Sequence, residues 1–202
     1  MSGKRIGLLG GSFNPAHEGH LHISREALKR LHLDEIWWLV SPKNPLKKSE
    51  TLAPYATRLK SARSMASDPR IRVQDFEQEH HLYYTVDTLR WLRRRHPRTT
   101  FVWLMGADNL GDFHRWRAWL CIVKLVPIVV LDRSPYAFKG LAGRFAVREK
   151  TRRKPAKFAS RMAFLSAPAW SYLTIPRHAL SATHIRKTLG QKAFVGHNED
   201  KN

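Results

Sequence analysis

Acidic residues are scarce in this chain: 16 Asp and Glu stand against 36 Lys and Arg in 202 residues, a formal charge of +20 at pH 7. A surface of that sign attracts polyanions, so nucleotides, RNA and anionic lipid are the partner classes it favours. Cysteine is nearly missing. Cys121 stands alone, which excludes an intrachain disulfide and fits a reducing cytoplasm, the location expected here. Long apolar runs are lacking as well. The longest, residues 118–131, is interrupted by Lys124 and Pro127 and falls short of the ~20 residues of a membrane-spanning helix, so no membrane partner is expected. The N-terminal apolar patch ends in glycines with no cleavage site, unlike a signal peptide, and no internal repeat is visible.

Apolar residues, by contrast, make up 43% of the chain and seven residues are Trp, enough to order a core despite the charge. The length predicts one domain over residues 1–202, with at most a modest insertion. Short runs rich in β-branched and aromatic residues recur at 6–9, 36–40, 71–73, 101–105 and 128–131, each the size of a buried strand. Between them, Leu21, Leu28 and Leu31 share one helical face and Tyr55, Leu59, Ala62 and Ala66 another, while residues 85–96 form a third helix stopped by Pro97. This alternation predicts an α/β fold, a Rossmann-like three-layer α/β/α sandwich on a mostly parallel sheet. Its ligands should sit at the carboxyl ends of the strands where their order reverses. Residues 139–161 carry nine basic side chains against the single acid Glu149 and read as a basic surface excursion. A strand at 162–165 and a last helix from near Ser181 are expected after it.

The first strand runs into GGSFNPAHEGH, residues 10–20, and then into the Leu21 helix. Gly10 and Gly11 lack Cβ atoms and permit close backbone approach, and the helix that follows presents unpaired N–H groups and a positive dipole end, a setting for phosphate. The segment is neither a Gly-x-Gly-x-x-Gly fingerprint nor a Gly-x-x-x-x-Gly-Lys phosphate loop. His17 and His20 are close enough at a helix start to face one ligand. Zinc would need three or four ligands, and the one Cys and scattered His supply no set. Ordinary loop histidines bonded to main chain remain the plain alternative.

Residues 10–20 resemble the first signature of the His-x-Gly-His nucleotidyltransferase superfamily, and LSATHIRKTL at 180–189 resembles its second. The resemblance spans residues 6–189 and implies that Gly10, Gly11, Ser12, Phe13, His17 and His20 bind ATP together with Ser181, Thr183 and Arg186. Ser181 suits a helix cap, and Arg186 offers a planar fork to phosphate. The 181–189 segment would then be a phosphate-binding helix start. SPKNPLKK at 41–48 resembles a family loop whose Lys47 reaches the same phosphates, and MGADNL at 105–110 resembles the family's Gly-x-Asp segment. That likeness implies Gly106 and Asp108 as ATP contacts, Asp108 at the ribose, though Asp108 also suits a helix N-cap. Within the superfamily, YYTVDTL at 83–89 and FHRWRAW at 113–119 look like bacterial nicotinate-mononucleotide adenylyltransferases. That likeness implies Trp116 stacked on the pyridine ring, with Thr85, Val86 and Arg117 receiving its carboxylate. Trp119, three residues on, is expected only to pack. Asn14 and Ser12 depart from the family's usual Asp and Thr.

The implied reaction joins ATP to nicotinate mononucleotide, giving nicotinate adenine dinucleotide and pyrophosphate. His17, His20, Lys47 and Arg186 are its catalytic residues and Mg²⁺ its cofactor, held mainly by ATP phosphates with no protein metal site. The competing readings are an adenylyltransferase acting on nicotinamide mononucleotide, phosphopantetheine or flavin mononucleotide, and a basic RNA-binding protein. No specific nucleic-acid partner is expected, and the sequence leaves room for a homo-oligomer.

Overall fold

The computed structural model describes residues 3–43, 52–132 and 138–176. Each of the five expected strands forms: β1 (Arg5–Gly11), β2 (Glu35–Val40), β3 (Ile71–Gln74), β4 (Thr100–Gly106) and β5 (Ile128–Asp132). Two more follow, β6 (Arg153–Lys154) and β7 (Trp170–Thr174). All seven make one sheet in the order β3-β2-β1-β4-β5-β7-β6, and every pairing is parallel.

A parallel sheet buried on both faces needs apolar residues at consecutive positions, because successive side chains point to opposite sides. On β4, Val102 and Leu104 enter one core while Phe101, Trp103 and Met105 enter the other; on β5, Val129 and Leu131 alternate with Ile128 and Val130 in the same way. Helix α1 (Glu18–Leu31) covers the first face with Leu21, Ile23, Ala27, Leu28 and Leu31, and Ala62 of α2 (Tyr55–Met65) joins it. After the single turn α3 (Phe76–Glu79), helices α4 (Thr85–Arg95) and α5 (Trp119–Leu125) cover the second face. Three layers result, as the alternation of strand and helix requires.

Residues 162–165 are not a strand. They close a 3-10 segment, Ala156–Phe164, whose Ala159, Met162 and Ala163 pack into the first core. Apolar residues three and four apart share one face of a helical turn laid on a sheet, and the strand expected there comes later, at β7, where Trp170 and Tyr172 face one core and Leu173 the other. The basic stretch is likewise no mere excursion. Its short helices α6 (Phe138–Leu141) and α7 (Arg144–Arg148) lead to a fully buried Phe145, which meets Phe113 edge-on at 5.0 Å and Trp170 at 5.1 Å. Trp170 in turn donates its indole N–H to the Glu149 carbonyl at 2.7 Å. Burying one such ring contributes ~1.5–3 kcal/mol, so the stretch is anchored to the core while Arg144, Arg148, Lys150, Arg152, Arg153, Lys157 and Arg161 are exposed.

Candidate active site

From β1 the chain moves outward to β2 and β3, then returns to β4 and proceeds to β5 on the other side. The order therefore reverses between β1 and β4, and the crevice beyond their carboxyl ends is where ligands bind in such sheets. Gly11 ends β1 and Gly106 ends β4. Both glycines of the first motif lie within β1 rather than on the loop after it, and Gly10 lacks a side chain for a packing reason: a Cβ there would stand 2.7 Å from Cη2 of Trp103. At Gly106 a Cβ would collide with the Asp108 carboxylate, which folds back over the strand end.

His17 is the N-cap of α1. Its Nδ1 accepts the Gly19 N–H at 3.0 Å, and His20 Nδ1 accepts the His17 N–H at 3.2 Å, a reciprocal capping box built from two imidazoles. A ring nitrogen that accepts carries no proton, so in both neutral rings the proton sits on Nε2, which is thereby a donor. The ring centres are 4.0 Å apart. Beneath them lies Phe13, held in a left-handed backbone conformation (φ 45°) with its ring 4.6 Å from His20 and 5.1 Å from Trp38. Phe13 is 1% exposed, so its ring serves as packing beneath the two imidazoles. Trp38 donates to Ser24 Oγ, which donates to the His20 carbonyl, and these links tie α1 to β2.

The second wall comes from α4 and the turn before α5. Thr85 and Val86 are the first two residues of α4, where main-chain N–H groups have no carbonyl one turn back. Val86 is buried, and its isopropyl group packs into the second core. Arg117 lays its guanidinium 4.4 Å from the centre of the Tyr84 ring, joining this helix start to the Trp116 turn. Trp116 is half-buried, edge-on to Trp103 at 6.1 Å and against Phe113 at 5.3 Å. Trp119 packs on Phe113 and Phe145, as expected. Trp103 thus has Gly10 at one end and Trp116 beside it, linking the two walls.

The sequence profile of the cytidylyltransferase-like family matches residues 8–188. The chain belongs to the cytidylyltransferase-like family. Its relatives include proteins named probable nicotinate-nucleotide adenylyltransferase, one from Methylorubrum extorquens at 53% identity over 90% of this chain and 98% of the relative. Another from Bradyrhizobium is 51% identical over 94% and 100%. Among solved structures, the Plasmodium falciparum nicotinic acid mononucleotide adenylyltransferase complexed with NaAD superimposes with a TM-score of 0.67 over 96% of this chain and 91% of that one. At 18% identity, that likeness speaks for the fold.

In this cytidylyltransferase-like chain, Lys47, Ser181, Thr183 and Arg186, with the helix expected from Ser181, lie outside the described residues. The described chain nevertheless ends beside α1, where His22 Nε2 donates to the Pro176 carbonyl at 2.6 Å. Among the buried polar groups that escaped the sequence reading, two lie at the two walls. Arg58 of α2 is 3% exposed and ties the ends of β1 and β2 together; the only signal was an arginine on an otherwise apolar helical face. Glu77 of α3 is also buried and accepts the Thr88 hydroxyl of α4 at 2.6 Å. Burial raises its carboxyl to about 7, against the opposing pull of that hydrogen bond.

Proposed function

We propose that this chain transfers the adenylyl group of ATP to nicotinate mononucleotide, releasing pyrophosphate and forming nicotinate adenine dinucleotide. The observation that carries this reading is the imidazole pair: two rings 4.0 Å apart, both locked as Nε2–H donors at the strand-order reversal. Donors fixed before substrate arrives stabilise charge developing on phosphoryl oxygens without reorganising. The names borne by relatives of matching length support the same substrates.

An oxygen of the mononucleotide phosphate attacks the α-phosphorus, and the bond from that phosphorus to the β-phosphate bridging oxygen breaks, carrying its electrons to pyrophosphate. The nucleophile is already an anion, so no base and no enzyme-bound intermediate are needed; alignment and charge stabilisation are the protein's task. His20 donates to the α-phosphate as it becomes five-coordinate and His17 to the neighbouring phosphates. Gly10, Gly11, Ser12 and the Phe13 main chain line the approach, and Gly106 and Asp108 hold the ribose. Lys47 and Arg186, with Ser181 and Thr183, take the departing pyrophosphate. Trp116 stacks on the cationic pyridine ring, while Thr85 and the N–H groups of Val86 and Arg117 receive the carboxylate. An amide in its place would set N–H against N–H.

The donors gathered at the end of β1, two imidazoles and the main-chain N–H groups beside them, suit anions rather than cations. Mg²⁺ would be carried on the triphosphate oxygens, where it neutralises charge. We read residues 1–202 as one catalytic domain working in the cytoplasm. The test is to incubate the purified chain with ATP, Mg²⁺ and either the acid or the amide mononucleotide, and to quantify dinucleotide and pyrophosphate. Equal amounts of both products, with the acid preferred, are expected. No dinucleotide from either, or turnover of phosphopantetheine in their place, overturns the reading.

A further inference from the structure

Arg58 enters none of the steps above, yet it is among the most deeply buried charges described. Withdrawing a guanidinium from water is costly unless its donors are taken up. Here main-chain carbonyls take them. Nε donates to Ala53 O at 3.0 Å, one terminal nitrogen to Ser12 O at 2.7 Å and Ser41 O at 2.8 Å, and the other to Pro42 O at 3.1 Å. Among the described residues no carboxylate forms an ion pair with it, and the centre of the Tyr55 ring lies 5.4 Å from its guanidinium carbon.

Those carbonyls belong to separate segments, Ser12 in the turn after β1 and Ser41 and Pro42 in the turn after β2, 46 and 17 residues from Arg58 in sequence. Two further bonds close the same corner: Ser41 N–H to Gly11 O at 2.9 Å, and Ala53 N–H to the Asn14 side chain at 3.1 Å. In a planar trans peptide the C=O and the following N–H point in opposite directions. Drawing the Ser12 and Pro42 carbonyls onto Arg58 therefore turns the Phe13 and Lys43 N–H groups away from it.

We propose that Arg58 is a positioning residue for nucleotide transfer: one planar fork grips the turns after β1 and β2 together and so fixes the corner that receives the ATP phosphates, without touching substrate. This rests on the adenylyl-transfer reading. It explains why an arginine is needed. Lysine offers its donors from a single point and cannot span carbonyls on two turns.

The experiment compares Arg58→Lys and Arg58→Ala with the parent chain. It measures kcat, both KM values, thermal midpoint, and calorimetric binding of Mg²⁺-ATP without the second substrate. Arg58→Lys should stay folded, lose ~10–100-fold in kcat through misalignment, bind ATP more weakly, and keep its KM for nicotinate mononucleotide within about twofold, since the Trp116 wall is separate. Methylguanidinium should restore part of the Arg58→Ala activity. Arg58→Lys with parental kcat and ATP affinity overturns the proposal. So does a rise in both KM values together, an activity loss that merely tracks the unfolded fraction, or failure of both variants to fold, any of which makes Arg58 a stability residue. If the parent chain binds ATP but makes no dinucleotide, the reaction assignment fails, and Arg58 is judged by the ATP affinity of Arg58→Lys alone.

Discussion

Around the end of β1 the structure is held by hydrogen bonds: the paired imidazoles cap α1, Asn14 holds Ala53, and Arg58 gathers carbonyls from two turns. Around Trp116 it is held by rings: Trp103, Phe113 and, through Arg117, Tyr84. The difference follows the chemistry proposed for each wall. Phosphate oxygens carry charge that changes during reaction, so donors must be aimed beforehand and cannot be left to solvent. A pyridine ring offers a face and a carboxylate, for which an aromatic surface beside a helix start suffices. Damage to the first wall should therefore appear in kcat, and damage to the second in the KM of one substrate.

The largest expected effect tests the first half of that contrast. His20→Ala removes a donor whose bond strengthens as the α-phosphorus becomes five-coordinate, and should lower kcat on the order of 10²–10³-fold with little change in either KM. The cap bond lost with it costs about 1 kcal/mol of stability, which the thermal midpoint reads separately. A kcat near that of the parent chain would take His20 out of the mechanism.

Next in size is an effect on stability beneath the second wall. Unfolded, the Glu77 carboxyl titrates near 4.5; folded, burial carries it to about 7. Between those values the folded chain keeps a proton that the unfolded chain has released, so this group makes stability fall as pH rises from about 4.5 to about 7, with no further change above. The span is worth about 3 kcal/mol at most. Glu77→Gln still accepts the Thr88 hydroxyl and cannot ionise. Melting curves from pH 5 to pH 8 should show the variant gaining on the parent chain, reaching ~5 °C or more at pH 8. A constant difference across that range would place the proton elsewhere.

Much of both walls was legible because the signals are local. Apolar runs of strand length marked β1 to β5, and a glycine pair, two histidines and a helical pattern marked the start of α1 within eleven consecutive residues. What could not be read were contacts across the sheet. Nothing local says that Arg58 would reach Ser12, 46 residues away, or that Gly10 is bare to admit Trp103. Strand β7 was missed for a related reason. Its Ser171 interrupts the apolar run, and the hydroxyl is tolerated in the core because it donates to the Lys154 carbonyl on the neighbouring strand at 3.0 Å. Phe145 was hidden among cations, which dominate a reading by composition although its buried ring anchors α7 to the core.

The smallest effect is the most discriminating, because Trp116 has both a packing role and a proposed binding role. Its ring is half-buried against Trp103 and Phe113, so Trp116→Ala will cost some stability whatever else it does. A ring stacked on a cationic pyridine contributes about 1 kcal/mol, or ~5-fold in affinity. If the two walls are independent, that loss falls on nicotinate mononucleotide alone: its KM rises ~5-fold while the KM for ATP and kcat at saturation move less than about twofold. Trp116→Phe keeps an aromatic face and should recover most of the loss. If instead ATP and the mononucleotide weaken together, the disturbance has travelled through Trp103 to Gly10, and the rings and the hydrogen bonds form one unit rather than two.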